Sequence, residues 1–153
     1  MSDIQLKVKD RIYSGWKTLK AVRTLEAIAG SFEITAINKE GFDAVPGDNC
    51  ELLIEGNTII SGYIDALDYK IGISEHEISL RGRDKTADLV DSSALNKTGE
   101  FLNVSLKELI TKITEPFNIG VIWNVAPGEK RLKVSLMQET VFEVIERETR
   151  KSG

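Results

Sequence analysis

Apolar and polar residues alternate along the first half of the chain, a pattern typical of β-strands that bury one face. Three segments show the alternation most clearly: IQLKV (4–8), SFEITAI (31–37) and HEISLRGRD (76–84). Turn-forming residues separate such segments, as in the predicted surface loop at 38–49 and in GISE (72–75). Short strands with a turn roughly every eight to twelve residues are typical of antiparallel barrels and sandwiches. The pattern therefore predicts an antiparallel, barrel-like sheet over residues 4–84.

Residues 17–24 carry a mixed signal. Leu19, Val22 and Leu25 recur at a spacing of three, which taken alone favours a helix. Gly15 before the segment and the alternating strand after it favour an extended chain instead. We predict a strand at 17–24 on the second argument.

A β-hairpin is predicted where CELLIEG (50–56) leads into TIISGYIDALDYKI (58–71). The dipeptide Gly56-Asn57 between the two arms is typical of a two-residue hairpin turn. Strict alternation gives the second arm two faces, one of Ile60, Gly62, Ile64, Ala66 and Asp68, the other of Ile59, Ser61, Tyr63, Asp65, Leu67 and Tyr69.

The periodicity becomes helical later in the chain. After a short helical stretch that follows Asp84, Ser105 and Glu108 have the spacing of a capping box, and Pro116 ends the helix that they begin. The remaining predicted elements are a strand at 118–125, a strand at 131–137 and a helix at 139–151. The fold class is thus mainly β plus α+β, with a barrel-like domain at 1–98 and a helix–strand–strand–helix α+β domain at 99–153.

Composition narrows the possible functions. Of the 153 residues, 41% are hydrophobic and 29% are charged, and the net charge is −4. This balance suits a folded domain, whereas tight binding to a phosphate backbone needs an excess of Lys and Arg. No apolar run has the length of a membrane span, and the N-terminus has no apolar signal core, so we expect the protein to be made and used inside a cell, with no membrane partner.

The chain has one cysteine, Cys50, and one histidine, His76. Zinc sites and Cys–His or Ser–His–Asp catalysis need more of these residues than the chain contains. We interpret Cys50 as a small buried hydrophobe at the start of a strand and His76 as a solvent-facing residue.

The segment RGRDKT (81–86) is the strongest candidate for chemistry. A phosphate-binding P-loop presents glycine amides followed by Gly-Lys-Ser/Thr, and here Lys85-Thr86 is present but Asp84 replaces the glycine. The alternative is a structural corner. In it Gly82 permits close packing, Asp84 accepts amide hydrogens at the start of a helix, and Arg81 and Arg83 pair with acidic neighbours. We favour the corner.

Two further groups of residues are candidate sites. A pair among the acidic residues could act as glycosidase carboxylates, although solvated side chains are the simpler interpretation; they are Asp65, Asp68, Asp84, Asp88 and Asp91. Trp16 and Trp123 could be stacking platforms, but a core or corner position is expected for Trp16 and a core position for Trp123. We therefore predict no catalytic, cofactor or metal site and no enzyme activity.

An ordered set of segments resembles the N-terminal half of Mu-like contractile-phage baseplate hub proteins. The segments are GWKTLKAVRTLEAIAGSFEI (15–34), VPGDNCELLIEG (45–56), ISGYIDAL (60–67), RGRDKTADLVDSSA (81–94) and TEPFNIGV (114–121). The resemblance implies a tail-tube-type β-barrel and a structural virion protein in the tail baseplate, made in the cytoplasm of a bacterial host. It implies a homotrimer that joins the tail tube to the spike, with DNA passing through its lumen without specific binding.

The family is usually longer, and the resemblance implies a further strand after RKSG (150–153), so we expect the second domain to be incomplete. The main alternative is a tail-associated cell-wall hydrolase, which would need an acid/base or metal cluster. A carbohydrate-binding module is a third possibility, although only 7% of residues are aromatic.

Overall fold

The computed structural model describes residues 3–24, 27–37, 42–72, 76–126 and 128–152. The chain divides into two compact units, Met1–Ala87 and Asp88–Gly153, whereas the sequence predicted a division between residues 98 and 99. The difference arises because the segment after α1 (Ala87–Asp91) is hydrogen-bonded within the second unit. Its backbone bonds are Ala94 N to Glu139 O at 2.9 Å, Leu136 N to Gly99 O at 2.9 Å and Val141 N to Ser92 O at 3.0 Å.

The first unit is a seven-stranded sheet in which every neighbouring pair is antiparallel. Its strands are β1 (Ile4–Val8), β2 (Arg11–Tyr13), β3 (Thr18–Val22), β4 (Ser31–Ile37), β5 (Asn49–Ile54), β6 (Asn57–Ile71) and β7 (His76–Asp84). They lie in the order β2-β1-β5-β6-β7-β4-β3, and the sheet curls into a half-barrel. The predicted antiparallel, barrel-like domain is confirmed.

One face of this sheet forms the core of the first unit. The alternation in β4 and β7 buries Ile34 and Leu80, which are register partners. The mixed signal at residues 17–24 resolves as the strand β3, whose Leu19 lies opposite Ile34 and packs against the core. Pairing with β4 outweighs the helical spacing, because tertiary context overrides a weak local preference.

The predicted hairpin forms, but its turn lies one residue earlier than predicted. The turn residues are Glu55 and Gly56, and Asn57 already pairs with Ile54 as the first residue of β6. Both turn residues have positive φ, 51° and 76°, as a two-residue turn of this hairpin type requires. The Gly-Asn signal was assigned to the wrong pair because glutamate is a poor residue for positive φ.

The strict alternation predicted for β6 is wrong beyond Ile64. Ile64 lies opposite Gly82, but Ala66 lies opposite Arg81, so Asp65 is an extra residue in a β-bulge. The bulge reverses the faces of the strand, and Leu67 consequently packs against the core although the prediction placed it with Ile59. A bulge is set by the register with β7, which one strand's own pattern does not contain.

The second unit has the order strand–helix–strand–helix after α1. Its elements are β8 (Glu100–Val104), α2 (Leu106–Thr114), a 3-10 turn (Glu115–Phe117), β9 (Arg131–Ser135) and α3 (Val141–Arg150). The strands β8 and β9 form an antiparallel pair. The predicted capping box of Ser105 and Glu108 is present at α2, and a second box, Thr140 with Glu143, begins α3.

The predicted strand at 118–125 is absent, and the strand β8 was missed. β9 takes β8 as its partner, whereas the apolar segment 118–125 has irregular backbone with no ladder partner. Three predicted turns lie wholly or partly outside the described residues: the loop 38–49 at residues 38–41, the turn 72–75 at 73–75, and Pro127-Gly128 at Pro127. Among the helices of the described ranges, none has the length and apolar character needed to cross a membrane.

Candidate functional site

The segment RGRDKT lies where β7 ends and α1 begins, and Asp84 is its centre. Asp84 is 4% exposed. Its Oδ2 accepts a hydrogen bond from the backbone N–H of Gly30 at 2.7 Å, and its Oδ1 accepts one from the backbone N–H of Thr86 at 3.1 Å. The Thr86 hydroxyl contacts the Asp84 carboxylate and also lies 2.7 Å from the carbonyl oxygen of Ile28.

These contacts refine the predicted role of Asp84. The carboxylate was expected to accept amide hydrogens at the start of the helix, but its donors are Thr86, just before α1, and Gly30, far away in sequence. The backbone N–H of Asp84 also donates to the carbonyl of Gly30 at 2.9 Å. Asp84 therefore connects the segment before β4 to the end of β7 through hydrogen bonds, which is a structural role.

Gly82 is required by packing. A Cβ atom at this position would lie 2.6 Å from the ring of Phe32 and 2.6 Å from the carbonyl oxygen of Tyr63. The glycine therefore allows β4 and β6 to pack closely against β7. Two residues later, the chain has the buried carboxylate of Asp84 at the position where a P-loop has a glycine amide. This geometry favours the structural interpretation of RGRDKT over phosphate binding.

Arg81 and Arg83 point away from the core and meet carboxylates of β6. Arg81 Nη2 lies 2.9 Å from Asp68 Oδ2. Arg83 binds Asp65 through two nitrogens, at 2.7 and 3.2 Å. Because β6 and β7 are neighbours in the sheet, these pairs form a charged strip on its outer face, as predicted for the two arginines.

Cys50 and His76 are the two remaining single-residue candidates for a reactive site. Cys50 is buried, and burial followed by the charges of Asp65 and Glu51 raises the pKa of its thiol to about 12, so it is not a thiolate near neutral pH. His76 is exposed at the start of β7, opposite Ile71. Within the described ranges, no group of three or more His, Cys, Asp or Glu residues could hold a metal ion.

The two tryptophans have different surroundings. Trp16 is half-buried against the core of the first unit and meets the ring of Phe42 edge-on, with centroids 6.0 Å apart. Trp123 was expected in the core of a strand, but it is half-buried in irregular backbone. Its indole nitrogen is shielded from solvent and has no hydrogen-bond partner among the described residues.

A buried ionic cluster at the end of α3 was not predicted from the sequence. Glu148 is 1% exposed, and its carboxylate contacts Arg131, Arg147 and Lys151, with Lys151 Nζ at 2.8 Å. Burial alone would raise the pKa of Glu148, but the hydrogen bond from Lys151 and the three positive charges lower it below its ordinary value. The sequence contains a signal for the burial of Glu148: in a helix that begins at Val141, position 148 lies two turns later on the same face as the buried Val141.

Family models match both units of the chain in order. A model of the N-terminal domain of Mu phage baseplate assembly protein GpP-like matches residues 3–84, and a model of the second domain of baseplate hub protein gp44-like matches residues 86–153. The baseplate hub protein gp44 of Escherichia phage Mu is 29% identical over 157 residues, covering 98% of this chain and 41% of the relative.

Solved structures share the fold. The 43 kDa tail protein of prophage MuSo2 from Shewanella oneidensis matches with a TM-score of 0.93 and 33% identity over 100% of this chain. A tail protein from Neisseria meningitidis matches over 94% with a TM-score of 0.78 and 20% identity. An E. coli component of the type VI secretion system, similar to phage T4 tail proteins gp27 and gp5, matches over 95% with a TM-score of 0.63 and 13% identity.

The chain spans about half or less of the length of these relatives: 51%, 43% and 38% of the three solved chains, respectively. The resemblance stated from the sequence is confirmed by the family models, which together cover almost all of the described residues. The chain belongs to the family of Mu-like phage baseplate hub proteins.

Proposed function

We propose that this chain is the N-terminal part of a baseplate hub and acts through protein–protein contacts, without catalysis. The observation that carries the proposal is the match of two successive hub domains over residues 3–84 and 86–153. None of the comparisons points to a cell-wall hydrolase. The role places the protein in the virion, at the tail baseplate, after synthesis in the cytoplasm of the bacterial host.

The open edges of the first unit support assembly into a ring. The outer strands β2 and β3 each have one ladder partner among the described strands, β1 and β4 respectively. The free side of an edge strand presents unpaired N–H and C=O groups that a neighbouring chain can satisfy. We propose a homotrimer in which such edges pair between subunits, and which contacts tail-tube and spike proteins.

The solution mass of the full-length protein tests this role. Multi-angle light scattering at micromolar concentration is expected to give three times the subunit mass. Ala21→Pro in β3 should lower the mass toward that of a monomer, because proline removes an N–H from the edge strand. Thr24→Pro, just beyond β3, is the matched control and should leave the trimer intact.

Circular dichroism must show that both variants remain folded. A strictly monomeric wild-type protein would contradict the ring, and cleavage of peptidoglycan in a zymogram would contradict the non-enzymatic role.

A further inference from the structure

The first and last strands of the seven-stranded sheet are consecutive in the chain. β2 ends at Tyr13, and the backbone N–H of Lys17 already donates to the carbonyl of Thr35 in β4, at 2.7 Å, as the chain enters β3. The connection between the two edges is therefore short, residues 14–16, and a chain of this length spans at most about 14 Å. The two edges consequently approach each other at this end of the sheet, and the gap between them is here named the seam.

The strand on one side of the seam, β2, has a short ladder. It pairs with β1 at three positions, and it has no second neighbour among the described strands. A hairpin of two short strands is only marginally stable in water by itself. Contacts outside the ladder therefore determine where β2 lies.

Three aromatic side chains provide such contacts at the linked end of the seam. The ring of Phe42 meets the ring of Tyr13 edge-on, with centroids 4.6 Å apart, and also meets the ring of Trp16 edge-on. Tyr13 is buried, and the other two side chains pack against the core of the first unit. Aromatic pairs in this geometry stabilise a structure beyond the area that they bury. Tyr13, Trp16 and Phe42 are here named the clasp.

The residue after Phe42 adds polar contacts to the same strand. Asp43 accepts a hydrogen bond from the hydroxyl of Tyr13, and Arg11 Nη1 lies 2.8 Å from Asp43 Oδ2. The first and last residues of β2 thus both contact this carboxylate. Exposed ion pairs contribute little, so the buried rings and the Tyr13 hydrogen bond are the main contacts that hold β2.

The segment that carries Phe42 is itself fixed to the middle of the sheet. Ala44 is buried in the core. Gly47 N donates to Ile64 O at 2.8 Å, and Ile64 N donates to Asp48 O at 3.0 Å. Because Ile64 belongs to β6, the middle strand in the sheet order, residues 42–48 connect the centre of the sheet to its edge strand β2.

We propose that the clasp is a conformational device that sets the width of the seam. While Phe42 contacts both other rings, β2 keeps one position and the seam keeps one width. When the rings separate, β2 moves with its short ladder and the seam widens. The clasp stands on the geometry of the first unit alone. Its consequence rests on the proposed function: β2 and β3 are the edges proposed to pair between subunits, so the clasp determines whether β2 is presented in the geometry that pairing needs.

Distances between spin labels on β2 and β3 test the proposal directly. The labels are attached at Ile12→Cys and Lys20→Cys, two exposed positions, in a chain whose buried cysteine is removed by Cys50→Ala. Double electron–electron resonance, with labelled chains diluted in unlabelled protein, measures the distance within one subunit. We expect one narrow distribution, which becomes broader and shifts to longer distances when Phe42→Ala is added. Tyr69→Ala, at an exposed aromatic residue outside the clasp, is the matched control and should leave the distribution unchanged.

Amide hydrogen exchange gives a second readout. The N–H groups that join β2 to β1 should exchange at least tenfold faster in Phe42→Ala, whereas those that join β4 to β7 should stay protected. Asp43→Ala is a milder variant, because the side chain of Asp43 is 55% exposed and its removal leaves the core intact. It should also accelerate exchange in β2, by a smaller factor. Circular dichroism must show that each variant remains folded.

Unchanged label distances and unchanged exchange in both Phe42→Ala and Asp43→Ala would overturn the clasp. Light scattering on the full-length protein tests its consequence separately, and Phe42→Ala should lower the mass toward that of a monomer. A trimer that stays intact in Phe42→Ala although the seam has widened would refute the link to assembly. A monomeric wild-type protein whose seam widens in Phe42→Ala would refute the ring and support the clasp.

Discussion

At the scale of single residues, Asp84 shows how a sequence motif acquires its role from distant contacts. A carboxylate that is nearly excluded from water is costly unless its oxygens are hydrogen-bonded. Asp84 meets this condition through Gly30 and Thr86, and the nearest guanidinium nitrogen, on Arg23, is 3.6 Å away. The sequence identified Asp84 as a corner residue, but it could not identify Gly30 as a donor because the two are joined only by the pairing of β4 with β7.

Asp84→Ala is expected to lower the free energy of unfolding by about 2 kcal/mol, because it leaves the N–H groups of Gly30 and Thr86 without their buried acceptor. The control is Asp68→Ala, which removes an exposed partner of Arg81 and should cost less than about 1 kcal/mol. Urea denaturation followed by circular dichroism measures both. Equal losses in the two variants would show that the buried carboxylate has no special structural role.

Gly82→Ala is expected to destabilise the protein by about 1–3 kcal/mol, because the new Cβ would lie 2.6 Å from the Phe32 ring and from a carbonyl oxygen of β6. Gly120→Ala is the matched control, since a Cβ there meets nothing within 4 Å. Thermal unfolding of the two variants gives the comparison. A melting temperature equal to that of wild type for Gly82→Ala would mean that β4 and β6 can move away from β7 without loss of stability.

At the scale of elements, local rules predicted helices better than strand registers. The Ser105–Glu108 box and the apolar stripe of α2 depend on residues three and four positions apart, so the sequence contained the whole signal. The bulge at Asp65 and the absent strand at 118–125 depend on which strands pair, and this information lies in distant parts of the chain. The bulge nevertheless decides a surface contact, because it moves Asp68 from the face of Ile60 and Ile64 to the outer face, where Asp68 pairs with Arg81.

The ionic cluster on α3 should give the protein a measurable pH dependence. The pKa of Glu148 in the folded state lies below the ordinary value of 4.5, so its interactions stabilise the fold above about pH 4.5 and are lost as the pH falls through the folded-state pKa. Glu148→Gln is expected to cost about 2 kcal/mol at pH 7. The difference in the free energy of unfolding between Glu148→Gln and wild type should shrink as the pH falls below 4.5.

Urea unfolding at a series of pH values measures this difference. Glu146→Gln is the control on the same helix, since Glu146 is exposed and pairs only with Arg150 across one turn among the described contacts. The free energy of unfolding of Glu146→Gln should differ little from that of wild type at every pH. A constant difference for Glu148→Gln down to pH 2 would contradict the assignment of a lowered pKa.

At the scale of the whole molecule, the sequence predicted two kinds of architecture in the correct order but misplaced their division. Alternation before Asp84 and capped helices after Ser105 were sufficient to indicate a β unit followed by an α+β unit. Residues 92–98 have no strong pattern, and backbone hydrogen bonds such as that of Ala94 with Glu139 connect this segment to the rest of the second unit.

The net charge of −4 leads to a prediction for the assembled hub. A ring through which DNA passes should not hold the phosphate backbone, and binding to that backbone requires cations that displace its counterions. We therefore expect this chain to give no gel shift of double-stranded DNA at about 150 mM salt. A variant with Asp10, Glu55 and Glu115 replaced by lysine makes the net charge of this chain positive, and it should retain DNA in a salt-dependent way. Retention by the wild-type protein that weakens linearly with the logarithm of salt concentration would contradict the expectation that DNA passes through such a ring without specific binding.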